Sequence, residues 1–95
     1  MALTSATVTK TASVIIADTV DNFTAAANEP VVMAYAPSDS DSVTPTGPWF
    51  ERQPGDAISR EITGPGHIWA QIVRTDRSVD GVREIESIEL PITAW

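Results

Sequence analysis

Cysteine is absent from the 95 residues, which excludes disulfides and thiolate metal sites and leaves stability to packing and strand pairing. Positive charge is scarce: six Lys and Arg stand against thirteen Asp and Glu. The resulting formal charge of −7 repels phosphate backbones, so the expectation is a protein with no nucleic-acid partner. No stretch approaches the roughly 18 consecutive apolar residues of a membrane helix. The opening MALTSATVTK has no positive region leading into a long apolar run, so the chain is expected to be soluble as made, with no membrane partner and no secretion signal. Nor is there a glycine-flanked nucleophile turn, a Gly-rich phosphate loop, an HExxH motif or a defensible carboxylate pair. His67, the only histidine, follows Gly64-Pro65-Gly66 without a second His or a matched carboxylate spacing, and reads as a turn-flanking residue. The expectation is a non-enzymatic protein with no catalytic residues, no cofactor and no metal.

What is present is β-forming sequence. A hydrophobic share of 42%, much of it Ala and Val, suits the thin core of one all-β domain spanning 1–95: a small antiparallel β-sandwich or jelly-roll-like fold of about 7–8 short strands. Residues 1–5 are small and polar and read as a flexible N-terminal arm. The β-branched residues of ATVTKTASVIIAD predict strands at 6–10 and 13–17, and a further short strand is expected at 20–24. Asn22-Phe23-Thr24 matches a glycosylation sequon and is read as a chance match. VVMAYA, 31–36, is apolar throughout and bounded by Pro30 and Pro37, as a strand buried on both faces would be. Val32→Asp is accordingly expected to bury an unpaired charge. Residues 37–48 are dominated by Ser, Thr, Asp, Pro and Gly and predict a long polar surface loop without a packing partner. Asp39 and Asp41 resemble the start of a calcium loop, but the glycine and distal glutamate that complete one are missing, so they read as a solvated acidic tip.

The segment from Gly47 to Val73 carries the strongest turn signals, Pro54-Gly55-Asp56 and Gly64-Pro65-Gly66. It predicts three short strands joined by two tight reversals, an antiparallel meander. Pro54 followed by Gly55 predicts a type II turn. Within the meander, Ile58 and Ile62 are expected on one face with Arg60, and Ile68, Ala70 and Ile72 on an apolar stripe. Trp69 points the other way, to cover an end of the core or an inter-subunit surface. RTDRSVDGVRE is a charged connection reversing at Asp80-Gly81. Ile88, Leu90 and Ile92 alternate as a strand; Ile85 is out of phase and calls for a bulge near Glu86, with a helix over 82–90 as the alternative.

Trp49, Pro54, Gly55, Asp56, Ile58 and Ile62, set between the apolar strand EPVVMAYA and the strand HIWAQIV with its Trp69-Ala70 pair, give this chain its resemblance to the small β-sandwich virion proteins of tailed bacteriophages. Such proteins decorate capsids or form head fibres and connectors. The resemblance implies a non-enzymatic structural protein located in the virion and made in the host cytoplasm. Its partners would be other virion proteins, the major capsid protein or neighbouring copies, and it would be a homo-oligomer in the particle. Candidate interface residues are Trp49, Phe50 and Trp95. Trp95 follows ITA at the last position given, where an end is expected to fray, so removal of Ala94 and Trp95 should leave the fold intact while weakening assembly. Two other classes compete: a carbohydrate- or receptor-binding β module of a tail or fibre, using exposed tryptophans as stacking platforms, and a small immunoglobulin-like module of a bacterial surface protein.

Overall fold

In a computed structural model that describes residues 2–77, 81 and 83–95, the chain forms eight strands and one helical turn. These are β1 (Ala2–Thr9), β2 (Ser13–Ile16), β3 (Phe23–Ala25), β4 (Val31–Ser38), β5 (Phe50–Arg52), β6 (Ile58–Ser59), α1 (Arg60–Thr63), β7 (His67–Thr75) and β8 (Ser87–Ala94). Two four-stranded antiparallel sheets result: sheet A in the order β1-β8-β3-β6 and sheet B in the order β2-β7-β4-β5. The expected all-β sandwich is what forms. Its winding is specific: β4 pairs with β5, β3 with β6, β2 with β7 and β1 with β8. The chain is thus one long hairpin rolled into two sheets, the arrangement of a jelly roll.

The core lies between the sheets. Val31, Met33 and Tyr35 of β4 and Ile68, Ala70 and Ile72 of β7 meet Val8, Phe23, Ala25, Ile58, Ile88, Leu90 and Ile92. The alternation along β8, with Ile88, Leu90 and Ile92 buried, follows the period of two of a strand with one face on a core. Ile85 needs no bulge, because β8 begins only at Ser87. Its N–H instead donates to Thr75 Oγ1 at 2.9 Å while its side chain packs on the core margin. Of the reversal expected at Asp80-Gly81, Asp80 lies outside the described residues, as does Val82, while Gly81 sits in a turn with φ +84°. The alternative helix does not form over its described part, since residues 83–86 are irregular and β8 runs from Ser87. Bulges do occur elsewhere: the register slips between Val14 and Ile16 on β2, and between Val32 and Met33 where β4 meets β7.

β4 is buried on both faces, as its composition predicts, because it lies inside sheet B between β7 and β5. Its outward residues Val32 and Ala34 lie between Arg74 on β7 and Glu51 on β5, whose ion pair at 3.2 Å spans the strand. Val32 is buried, as the expectation for Val32→Asp requires, and stands across the ladder from Arg74, which is paired with Glu51. Tyr35 faces inward, fully buried, and its hydroxyl has no hydrogen-bond partner among the described residues. Burial pushes its pKa from 10.0 up to about 12.

Tyr35→Phe removes the orphaned hydroxyl and is expected to stabilise the fold by about 1 kcal/mol, raising Tm by about 4–8 °C. Below pH 10 the tyrosine is protonated in both folded and unfolded chains. Between pH 10 and about 12 only the unfolded chain loses the proton, so stability falls, by about 2–3 kcal/mol across that window. Tyr35 is the only tyrosine, so tyrosinate absorbance reads the titration directly, and Tyr35→Phe should flatten that part of the stability profile.

Three expectations are overturned. Residues 2–5 are no loose arm: they form the first half of β1 and pair with β8 from Ala2↔Ala94 to Ser5↔Pro91. The meander does not form either, because β5 joins sheet B, β6 joins sheet A and β7 returns to sheet B. β6 lasts two residues, since β3 offers only Thr24 and Ala25 as partners. Beyond Ser59 the chain turns into α1, closed by Gly64 N–H to Arg60 carbonyl at 2.8 Å, which leaves Ile62 43% exposed and buries Thr63 instead. Finally, the segment after β4 has a packing partner. Pro37 and Ser38 extend β4, and Ser40 accepts the Trp69 indole N–H at 2.9 Å through its carbonyl, so Trp69 is buried on the outer face of sheet B. Ser38 Oγ accepts from Ser40 N–H, and Ser40 Oγ accepts from the N–H groups of Ser42 and Val43, which orders the turn.

The Pro54-Gly55 turn forms as expected: Asp56 N–H donates to the Gln53 carbonyl at 3.0 Å and Gly55 has φ +85°. A Cβ on Gly55 would meet nothing within 4 Å, so the cost of Gly55→Val is conformational alone. A loss of about 1 kcal/mol or more is expected in chemical denaturation.

Candidate interface

Arg60 opens α1 at one end of the sandwich, and its guanidinium organises that end. Nε and Nη2 both donate to the Val20 carbonyl, Nη2 also donates to the Ala17 carbonyl at 2.8 Å, and Nη1 donates to the carbonyls of Gly64 and Gly66. Those bonds employ the five N–H donors a guanidinium has. The group also lies 5.7 Å from the ring centroid of Phe23. Burial lowers the Arg60 pKa from its ordinary value, while Asp18 and Asp21 nearby act in the opposite direction. Gly66 is required here, since a Cβ would lie 2.9 Å from the Ser38 carbonyl oxygen and φ is +104°.

A shallow cleft of about 340 Å³ lies against this clamp, lined by Asp18, Val20, Asp21, Arg60, Gly64 and Pro65. With its donors committed to backbone carbonyls, Arg60 offers none to an incoming anion. What the cleft presents is the exposed carboxylates of Asp18 and Asp21. His67 is tied into the same corner: its Nδ1 accepts from the Asp18 N–H at 3.2 Å, and its Nε2 lies 3.7 Å from Asp18 Oδ2. Among the described residues no group of three or more His, Cys, Asp or Glu is placed to hold a metal.

Trp95 sits beside this corner through its backbone. Its N–H donates to the Asn22 carbonyl at 2.9 Å and its carbonyl accepts from the Asn22 N–H at 2.7 Å, continuing the β8–β3 ladder past Ala94. Asn22 directly follows Asp21 of the cleft. The expected fraying is thus replaced by a held backbone, while the indole remains 47% exposed. Trp49 and Phe50 lie elsewhere, Trp49 just before β5 and Phe50 its first residue in sheet B, and both are half-buried. Phe50 packs against the core, which commits part of its surface internally. The acidic corner beside Trp95 escapes a reading of sequence because its members come from the β2–β3 connection, α1 and the chain after β8. The arrangement is an exposed aromatic on a hydrogen-bonded backbone, paired with Asn22 next to Asp21 of the acidic cleft. No family model, no curated protein and no solved structure matches this chain.

Proposed function

We propose that this protein is a non-enzymatic structural protein of a bacteriophage virion, a capsid decoration or head-surface component. The observation that carries the reading is Trp95, a half-exposed aromatic whose backbone is already fixed by two hydrogen bonds to Asn22. Aromatic anchors dominate interface energetics, and one whose backbone is ordered before binding loses less entropy on docking. The jelly-roll winding adds fold-level support by analogy, since capsid domains use it. The exposed Asp18 and Asp21 give the anchor an acidic margin that steers it toward a basic patch on the particle surface.

The test is mass spectrometry of purified virions together with a binding assay on particles lacking this chain. Trp95→Ala is expected to reduce occupancy at least about tenfold, as loss of a hot-spot residue does, with Tm unchanged. Absence of the chain from particles, or wild-type occupancy for the variant, would refute the reading.

A further inference from the structure

Each sheet of an open sandwich has two edges, and three of the four are blunted here. β6 ends after two residues in a helical turn, β5 has three residues and carries Glu51 and Arg52, and β2 is four residues long with a register slip at Ile15. β1 differs in every respect. It is eight residues long, ALTSATVT, with a regular one-to-one register against β8 and with no charge, proline or bulge. Every second N–H and C=O along it faces away from β8, and such a row is a template for another strand unless gatekeeping residues block it.

We propose that β1 is an assembly edge at which two copies of this chain pair β1 to β1, antiparallel, about a twofold axis perpendicular to the sheet. The two sheets A then merge into one of eight strands ordered β6-β3-β8-β1-β1-β8-β3-β6. Charge selects a second copy as the occupant. In a chain of net −7, copies repel wherever carboxylates meet, and β1 is free of them. The nearest carboxylate on the solvent face, Glu89 of β8, is occupied by the Thr7 hydroxyl at 2.5 Å and by that of Ser5 at 3.4 Å. In the pair, the two β8 strands stand three strand spacings apart, about 14 Å, beyond the Debye length of about 8 Å at physiological salt.

Parity also works. A twofold axis perpendicular to the sheet sets outward residues opposite outward residues, so Leu3, Ser5 and Thr7 of one copy face the same set of the other. Leu3, 81% exposed in the isolated chain, gains a neighbour, and the hydroxyl residues form the cross-strand pairs that favour a sheet. On the inward side the half-buried Ala6, which packs against the margin of the core, is covered.

This edge belongs to the assembly reading in purpose, but the association is measured on purified chain in solution, so its failure and absence from virions are separate results. Sedimentation from about 1 µM to about 1 mM is expected to show a reversible monomer–dimer equilibrium, with β1 amides gaining hydrogen-exchange protection as dimer forms. Thr4→Pro and Ser5→Pro divide the two sides of the strand, because neighbouring N–H groups point opposite ways: one removes a ladder bond to β8, the other an outward donor. One of the two is expected to keep the Tm of dilute wild type and remain monomeric throughout. Leu3→Lys leaves the monomer's core untouched and is expected to raise the dimer Kd at least about tenfold. A wild-type chain that stays monomeric to about 1 mM overturns the proposal, and so does a dimer whose Kd is unchanged by Leu3→Lys.

Discussion

Arg60→Ala is expected to destabilise the domain by about 3–5 kcal/mol, a large part of the roughly 5–15 kcal/mol typical of a whole domain. The reason is the number of backbone groups that depend on one side chain. The carbonyls of Ala17, Val20, Gly64 and Gly66 come from two separate loops, and each accepts from the guanidinium. Alanine leaves all four to whatever water can reach them and removes the cation from the face of Phe23. Arg60→Lys should recover only a minor part of the loss, because an ammonium has three donors and no planar fork to reach both loops at once. Urea denaturation of both variants checks this. A lysine variant as stable as wild type would show that charge, rather than fork geometry, holds this end together.

Phe23→Ala is the second large effect, about 3–5 kcal/mol, as expected for an aromatic deleted from a closed core. Phe23 is fully buried, at the start of β3 in the middle of sheet A, with Asn22 Oδ1 accepting its N–H at 2.9 Å. The informative measurement is the double variant. Since the guanidinium lies over the ring, the losses at Arg60 and Phe23 should sum to more than the loss in the double variant, by about 0.5–2 kcal/mol. Strict additivity would mean that the stacking contributes nothing.

How far these features could be read in the sequence depended on how local their causes are. β4 announced itself because six successive apolar residues between prolines fit only a strand covered on both faces, and the Pro54-Gly55 turn did so because its cause lies within four residues. The first half of β1 was missed for want of contrast, although a strand was expected from residue 6 on: Leu3 and Ser5 on one face and Thr4 on the other show no apolar side, so no period of two emerges. The turn at α1 was misread for the opposite reason. Ile58, Arg60 and Ile62 alternate convincingly, yet Arg60 is claimed by carbonyls some forty residues earlier in the chain. At the candidate interface, Trp95 was named from its residue type, but its fixed backbone depends on Asn22, and the acidic corner beside it depends on the winding of the whole chain.

That winding also dictates the order in which the molecule can assemble. Only β4 and β5 are near neighbours along the chain; β3 with β6, β2 with β7 and β1 with β8 enclose them in successively wider loops. Closing the widest loop early costs the most chain entropy, so folding should start at the inner hairpin and work outward. High contact order of this kind places the folding time in the range of about milliseconds to seconds. On the ribosome, β1 emerges before β2 to β8 and pairs last, and it waits without its partner until β8 has been made. The strand with the fewest gatekeepers is therefore the one left unpaired longest during synthesis, which makes β1 the expected nucleus of misassembly whenever elongation outruns folding.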